Sequence, residues 1–127
     1  MKYGFSRTVD LTYEKAIERV TEEFKKEGFG VLTFIDVQDT LKKKIGVDFK
    51  RYAILGTCNP TFSHQVLQED EEIGLLLPCN VTVYEQEGKT RVSVFDPMVM
   101  TKLVDNPNVA SVAEQVKTKL QRALAAV

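Results

Sequence analysis

The sequence lacks tryptophan, and it has one histidine and two cysteines among its 127 residues. Two cysteines are too few for the disulfide framework of a small secreted protein. The single histidine, His64, excludes a His-rich metal site and makes any Ser-His-Asp arrangement depend on one residue. We therefore expect neither a metal nor a cofactor.

An excess of charge of one sign is also missing, since 17 basic residues balance 18 acidic ones and the formal net charge is −1. Without a basic excess, binding to nucleic acid or to an anionic membrane has no electrostatic basis. The longest uncharged apolar stretch, residues 73–83, is far shorter than the ~20 residues that cross a bilayer. No apolar signal segment follows Met1. We expect a cytoplasmic protein that binds neither nucleic acid nor membranes.

Apolar residues recur at helical spacing in several segments that have recognisable ends. Residues 13–24 follow this pattern, with Thr12 as the N-cap and Gly28 as the residue that ends the helix. The same signals predict a helix from Asp36 to Gly46, a short helix beginning at Asn59-Pro60 and a long C-terminal helix beginning at Asn106-Pro107.

Between these helices lie segments rich in strand-forming residues. They predict strands at residues 2–9, 29–35 (a buried strand), 49–58 and 90–95. Residues 73–77 and 79–85 are expected to form either one long strand bent at Pro78 or two strands. Glu87-Gly88 predicts a hairpin turn, and Pro78, which lacks an N–H, predicts an edge position or a bulge. We expect one α+β domain over residues 1–127, with helices packed on a largely antiparallel sheet; a mixed sheet is the alternative.

Two segments carry most of the chemical interest, and each places a cysteine before an asparagine. In the first, Cys58 lies where a strand ends and a helix begins at Asn59-Pro60, and the helix dipole there favours a thiolate. In the second, Pro78 precedes Cys79 and Asn80, where a bulge would direct a side chain into a site. For both cysteines the simpler interpretation, a small buried hydrophobe, is the favoured one.

His64 lies one to two turns into the helix between the two segments. Together they define a candidate ligand-binding set: Cys58, Asn59, Pro60, His64, Pro78, Cys79 and Asn80. A soft-metal site would have only three candidate ligands, whereas structural zinc normally needs four protein ligands. No catalytic residue is assigned.

Three segments also resemble those of a known family: residues 28–32 (GFGVL), 52–60 (YAILGTCNP) and 73–81 (IGLLLPCNV), in that order, followed by Asp96-Pro97 and the amphipathic C-terminal helix. The family is the bacterial and archaeal "domain of unknown function 302". The resemblance implies a small α+β domain that commonly forms a homodimer. It implies no established activity and transfers no catalytic residue.

The leading hypothesis is a homodimeric domain that binds a small molecule near residues 58–60 and 78–80. One alternative is a thiol-dependent redox enzyme that uses Cys58, with Cys79 as the resolving partner. Another is a purely structural assembly module. For the dimer interface, we expect the apolar residues 73–77 or the C-terminal helix, because one small sheet does not easily cover so much apolar surface. Whether the protein is an enzyme stays open.

Overall fold

The computed structural model describes all 127 residues, and five strands form one sheet in the order β1-β5-β4-β3-β2. Every neighbouring pair is antiparallel, which confirms the predicted α+β class and leaves no mixed sheet. The strands are β1 (Gly4–Val9), β2 (Gly30–Asp36), β3 (Tyr52–Cys58), β4 (Cys79–Gln86) and β5 (Lys89–Phe95).

The chain forms five α-helices, and the two longest cover one face of this sheet. The five helices are α1 (Tyr13–Lys26), α2 (Val37–Ile45), α3 (Pro60–Glu69), α4 (Met100–Leu103) and α5 (Pro107–Ala126). The long helices α1 and α5 pack against each other and against the sheet, and α3 packs beside α5. None of the helices combines the length and apolarity needed to cross a bilayer.

The core lies between α1, α5 and every second residue of the central strands. Leu55 on β3, Val83 on β4 and Val92 on β5 are fully buried there against Phe24 and Leu120 of the helices. A smaller apolar cluster, built on Val66, Ile73, Met100, Val109 and Ala113, extends the core beyond the end of the sheet. Because α5 buries its apolar face in these two clusters, that face is not free to form a dimer interface, contrary to our expectation.

The predicted helix ends are confirmed at three helices. Thr12 Oγ1 accepts from Lys15 N at 3.2 Å, Asp36 Oδ1 from Asp39 N at 2.9 Å and Asn106 Oδ1 from Asn108 N at 2.9 Å. These bonds satisfy N–H groups that have no partner within the helix. The Glu87-Gly88 turn also forms, with φ of 53° and 76° at its two residues, as a two-residue hairpin requires.

Arginine side chains hold the end of α5 against the first strand and first helix. Arg7 on β1 donates to the carbonyls of Leu124 and Ala125 at 3.2 and 2.8 Å, and Arg19 on α1 donates to Ala126 O at 3.0 Å. A cation at the C-terminal end of a helix also interacts favourably with the helix dipole.

For residues 29–35 the predicted strand is present, but the prediction that it is buried is wrong. Residues 30–36 do form a strand, but β2 is an edge strand with a register irregularity between Val31 and Thr33. Leu32 is 68% exposed and Phe34 52%. Helices α1 and α2 contact β2, but these contacts leave Leu32 and Phe34 exposed.

The prediction of a strand at residues 73–77 is also wrong. Residues Glu71–Leu76 form a 3-10 helix capped by Asp70, whose Oδ1 accepts from Glu72 N at 3.0 Å. Ile73 fills the smaller apolar cluster, whereas Leu75 is 82% exposed. Pro78 follows a cis peptide bond and precedes the first residue of β4, a central strand. It therefore occupies neither an edge strand nor a bulge.

Candidate functional site

The side of the sheet opposite the helices, here called the open face, carries a concavity of about 770 Å³. It is built by the residues that alternate with the core residues along the strands. On β4, for example, Val81 and Val83 are buried under the helices, whereas Asn80, Thr82 and Tyr84 line the concavity. The alternation of apolar and polar residues in the sequence thus creates two chemically different faces.

Small neutral polar groups dominate the middle of the open face. Ser6 on β1 and Ser93 on β5 lie opposite each other, and their hydroxyls share a hydrogen bond of 2.8 Å. Thr82 on β4 is in turn paired with Ser93, so three hydroxyls follow one another across three strands. Hydroxyls and amides of this kind can both donate and accept hydrogen bonds to a ligand.

Two tyrosine rings and one arginine lie at one end of the concavity. Tyr52 and Tyr84 are cross-strand partners, and their rings stack with centroids 5.0 Å apart and planes 13° apart. Lys50 Nζ lies 5.0 Å from the centre of the Tyr84 ring. On the next strand, Arg91 lies directly opposite Tyr84. Arg91 is the one charged side chain among the residues that line the concavity.

The two cysteines border a different and much smaller space. A cavity of about 20 Å³ lies between α3, α5 and the end of the sheet, and Cys58 and Cys79 both line it. This volume holds about one water molecule. The remaining lining is mostly apolar and includes Phe29, Phe62 and Val116.

The environments of the two thiols differ. Cys58 is half-buried, and its Sγ lies 3.1 Å from Ser63 Oγ. Cys79 is buried, and burial, with a smaller effect of the nearby Cys58, raises the pKa of its thiol to about 11. Cys79 is therefore a protonated thiol near neutral pH, as expected of a buried structural cysteine.

Asn59 does not act as the side-chain cap that its position before Pro60 suggests. The backbone of Asn59 occupies the N-cap position of α3, but its side chain makes no capping hydrogen bond. The amide Nδ2 donates instead to Glu27 O at 3.5 Å, at the end of α1. It also lies where a side chain at Gly28 would be, since a Cβ there would come within 2.7 Å of Nδ2. Asn59 thus connects the end of α1 with the start of α3.

The seven predicted site residues do not form one site. Cys58, Asn59 and Cys79 meet at the small internal cavity, while Asn80 lines the open face. Pro78 packs over Gly56, and Pro60 and His64 are exposed on α3 and line neither space. No three His, Cys, Asp or Glu side chains come close enough together to hold a metal ion.

Sequence reasoning missed the open face, apart from Asn80. The missed lining residues include Ser6, Tyr52, Thr82, Tyr84, Arg91 and Ser93. The signal that could have found them is the strict alternation at residues 79–84 and 90–95, where every residue on one side is buried and every residue on the other is polar or aromatic. Alternation of this kind identifies a sheet with one uncovered face.

The fold and this surface define a class of protein: an antiparallel sheet covered by helices on one side, with a polar concavity on the other. The family described as "Domain of unknown function DUF302" matches residues 5–127, and the chain belongs to that family. The crystal structure of an uncharacterized conserved DUF302 protein from Bacillus stearothermophilus is similar, with 31% sequence identity, a TM-score of 0.91 and 98% of each chain covered. Comparison with curated proteins gives no significant match.

Proposed function

We propose that the protein is a homodimeric small-molecule-binding domain and that the open face is its binding surface. The observation that carries this proposal is the concavity of about 770 Å³ lined by hydroxyls, amides and a stacked tyrosine pair. Its volume falls in the range of about 300–1,000 Å³ that is typical of small-molecule sites. The binding surface thus differs from the one expected near residues 58–60, and only Asn80 belongs to both.

The chemistry of the open face supports binding rather than catalysis. The Ser6 and Ser93 hydroxyls are hydrogen-bonded to each other, and no histidine or carboxylate lines the concavity to act as their general base. Activation of a serine normally requires such a base within hydrogen-bond distance. These groups are instead suited to orienting a ligand by neutral hydrogen bonds.

A binding experiment tests the proposed surface directly. We expect a fragment library, screened by protein-observed NMR, to shift the backbone amides of β4 and β5 around Thr82 and Ser93. Ser93→Trp should abolish these shifts because the indole fills the concavity, whereas Thr118→Trp, on the exposed side of α5, should preserve them. A library that shifts no residue of the open face would contradict the proposal.

The homodimer is supported by a second surface, formed by β2, α2 and the loop after α2. Six large apolar side chains are exposed there: Leu32, Phe34, Ile35, Ile45, Val47 and Phe49. α2 buries no residue within the protomer. One edge of β2 has no neighbouring strand, and an antiparallel edge can pair with its own copy about a twofold axis. A second copy would therefore cover both the apolar side chains and the free edge.

Analytical ultracentrifugation at micromolar concentration tests this interface. We expect the wild type to sediment as a dimer and Leu32→Glu/Phe34→Lys to sediment as a folded monomer. Leu75→Lys is the control, because Leu75 is also apolar and exposed but lies on the 3-10 helix. A monomeric wild type would contradict the proposed dimer, and a dimer that binds no ligand would favour a structural assembly module.

A thiol-dependent redox enzyme is the second candidate, favoured by one observation: Cys58 and Cys79 line the same cavity. Oxidation to a disulfide would remove two electrons and two protons, which a peroxide could accept to form water. The raised pKa of the Cys79 thiol opposes a role as resolving nucleophile near pH 7, because the thiolate is the reactive form.

Site-resolved iodoacetamide labelling of the native protein distinguishes this candidate. Rapid labelling of Cys58, together with a Cys58–Cys79 disulfide after peroxide treatment, would support the redox function. Slow labelling of both cysteines until the protein unfolds would exclude the redox function. The variants Cys58→Ser and Cys79→Ser each lack one thiol and so show which cysteine gives each labelling signal.

A further inference from the structure

We infer that the ligand of the open face is a small organic monoanion with a flat aromatic part, whose carboxylate pairs with Arg91; this inference rests on the proposed function. Arg91 lies on β5, which has β1 on one side and β4 on the other. It lies opposite Tyr84 of β4 and opposite Thr8 of β1, and it is half-buried.

Arg91 differs from every other arginine of the chain in having no strong acceptor. The guanidinium groups of the other four lie within 3.2 Å of a carbonyl or carboxylate oxygen: Arg7 and Arg19 at the end of α5, Arg51 at Glu14 and Arg122 at Glu27. The nearest acceptor of Arg91 is the Thr8 hydroxyl, at 3.5 Å from Nη1. Apart from this long contact, the guanidinium N–H groups have no acceptor and can bind an anion.

The charge of the concavity indicates how much negative charge the ligand carries. Arg91 is the single charged side chain in the lining, and no Asp or Glu opposes it there. The planar guanidinium matches a carboxylate through two parallel hydrogen bonds. A nucleic-acid strand, with one charge per nucleotide, would need a row of cations that this face does not have. The next cationic side chain, Lys50, lies over the Tyr84 ring and does not belong to this lining. One charged side chain among neutral side chains favours a monoanion.

The position of the stacked tyrosines indicates the flat part of the ligand. Because Tyr84 is the direct cross-strand partner of Arg91, a carboxylate bound at Arg91 places its attached group beside the Tyr52–Tyr84 stack. A flat ring can extend an offset or edge-to-face arrangement of this kind. On the other side of Arg91, the Ser93 and Thr82 hydroxyls are available to polar substituents.

A matched pair of probes tests the inference: 2-naphthoate, an aromatic monoanion, and 2-naphthamide, its neutral analogue. Titration followed by protein-observed NMR should shift the open-face amides around Tyr84 and Ser93, with naphthoate binding more tightly. Arg91→Gln should raise the Kd of naphthoate about tenfold or more and leave that of naphthamide within about twofold, because a charge-assisted hydrogen bond is lost. Arg122→Gln removes an equal charge from α5 and should change neither.

The outcomes separate the inference from the function on which it rests. Equal binding of both probes to the open face, unaffected by Arg91→Gln, would overturn the anion preference and leave small-molecule binding intact. No binding of either probe to this face, together with no binding of library fragments, would overturn both. Arg91→Lys keeps the charge and the fold but loses the planar fork, so an intermediate Kd supports bidentate pairing, whereas a Kd equal to that of the wild type would exclude it.

Discussion

The two faces of the sheet are built from the same strands but differ in burial and in chemistry. On the helix face, Leu55, Val83 and Val92 are fully buried and interlock with α1 and α5. On the open face, the adjacent residues Ile54, Tyr84 and Ser93 are only half-buried, and polar and aromatic groups outnumber aliphatic ones. Burial on the first face stabilises the fold, so the second face is free to carry groups that contribute little to stability.

The largest expected effect compares two neighbouring residues of β3. Leu55→Ala should lower the free energy of unfolding by about 2–5 kcal/mol, because it leaves a cavity beneath the helices. Ile54→Ala, one residue away on the open face, should cost less, about 1 kcal/mol, because that side chain is only partly buried. Urea denaturation of both variants measures the difference. Equal losses would mean that the open face is covered as tightly as the helix face.

The next effect concerns pH and the buried thiol of the helix face. Because the pKa of Cys79 rises from 9.0 to about 11 on folding, the native state keeps a proton that the unfolded state releases. This contribution to stability is fully present below pH 9 and is lost as the pH rises towards 11, by on the order of 2 kcal/mol. Denaturation at pH 8–11 should show a steeper decline for the wild type than for Cys79→Ala. Parallel curves would show that Cys79 is accessible to solvent.

The third prediction concerns how closely the side chains pack around Gly56, at the end of the open face. A Cβ at Gly56 would lie 2.9 Å from Pro78 Cγ and closer still to Thr33 Oγ1. Gly56→Ala should therefore cost about 1–3 kcal/mol through overpacking. Gly30→Ala on β2 is the control, because a Cβ there meets nothing within 4 Å. Thermal melting that ranks the two variants in the reverse order would contradict this packing.

The smallest effect is expected at the centre of the open face. Thr82→Val should change the free energy of unfolding by no more than about 0.5 kcal/mol, since valine keeps the branched shape that suits a strand. The same substitution on the helix face, Thr57→Val, should cost about 1 kcal/mol or more, because Thr57 Oγ1 donates to Cys79 O at 2.7 Å in a buried position. Chemical denaturation of the pair measures both values, and a large loss at Thr82 would assign the open face a structural role.

Local signals in the sequence predicted most of the fold. The caps at Thr12, Asp36 and Asn106 and the Glu87-Gly88 turn depend on short-range hydrogen bonds and backbone angles, which neighbouring residues determine. Two of the errors, at residues 29–35 and 73–77, involve short apolar runs. Such runs fit several environments, and only the distant packing of α1, α5 and the smaller apolar cluster decides between them.

The candidate site was harder to predict than the fold. Glycine, proline and cysteine at residues 56–60 and 78–80 drew attention because they interrupt regular structure, and part of that group does line the internal cavity. The open face is instead assembled from regular strands, with residues as distant as Ser6 and Ser93 placed in contact by strand order. Strand order depends on contacts between distant parts of the chain, so it cannot be predicted from the periodicity of a single strand.

The attachment of β1 has a consequence for how a newly made chain folds. Strands β2 to β5 are neighbours in sequence and in the sheet, so each can pair as soon as it is synthesised. β1 pairs only with β5, and Arg7 reaches carbonyls 117 and 118 residues further along the chain. At about 5–20 residues per second, the first strand leaves the ribosome roughly 5–20 s before these partners. The strand that is made first is therefore the last to be incorporated, and until β5 emerges β1 has no strand to pair with and exposes its edges to other nascent chains.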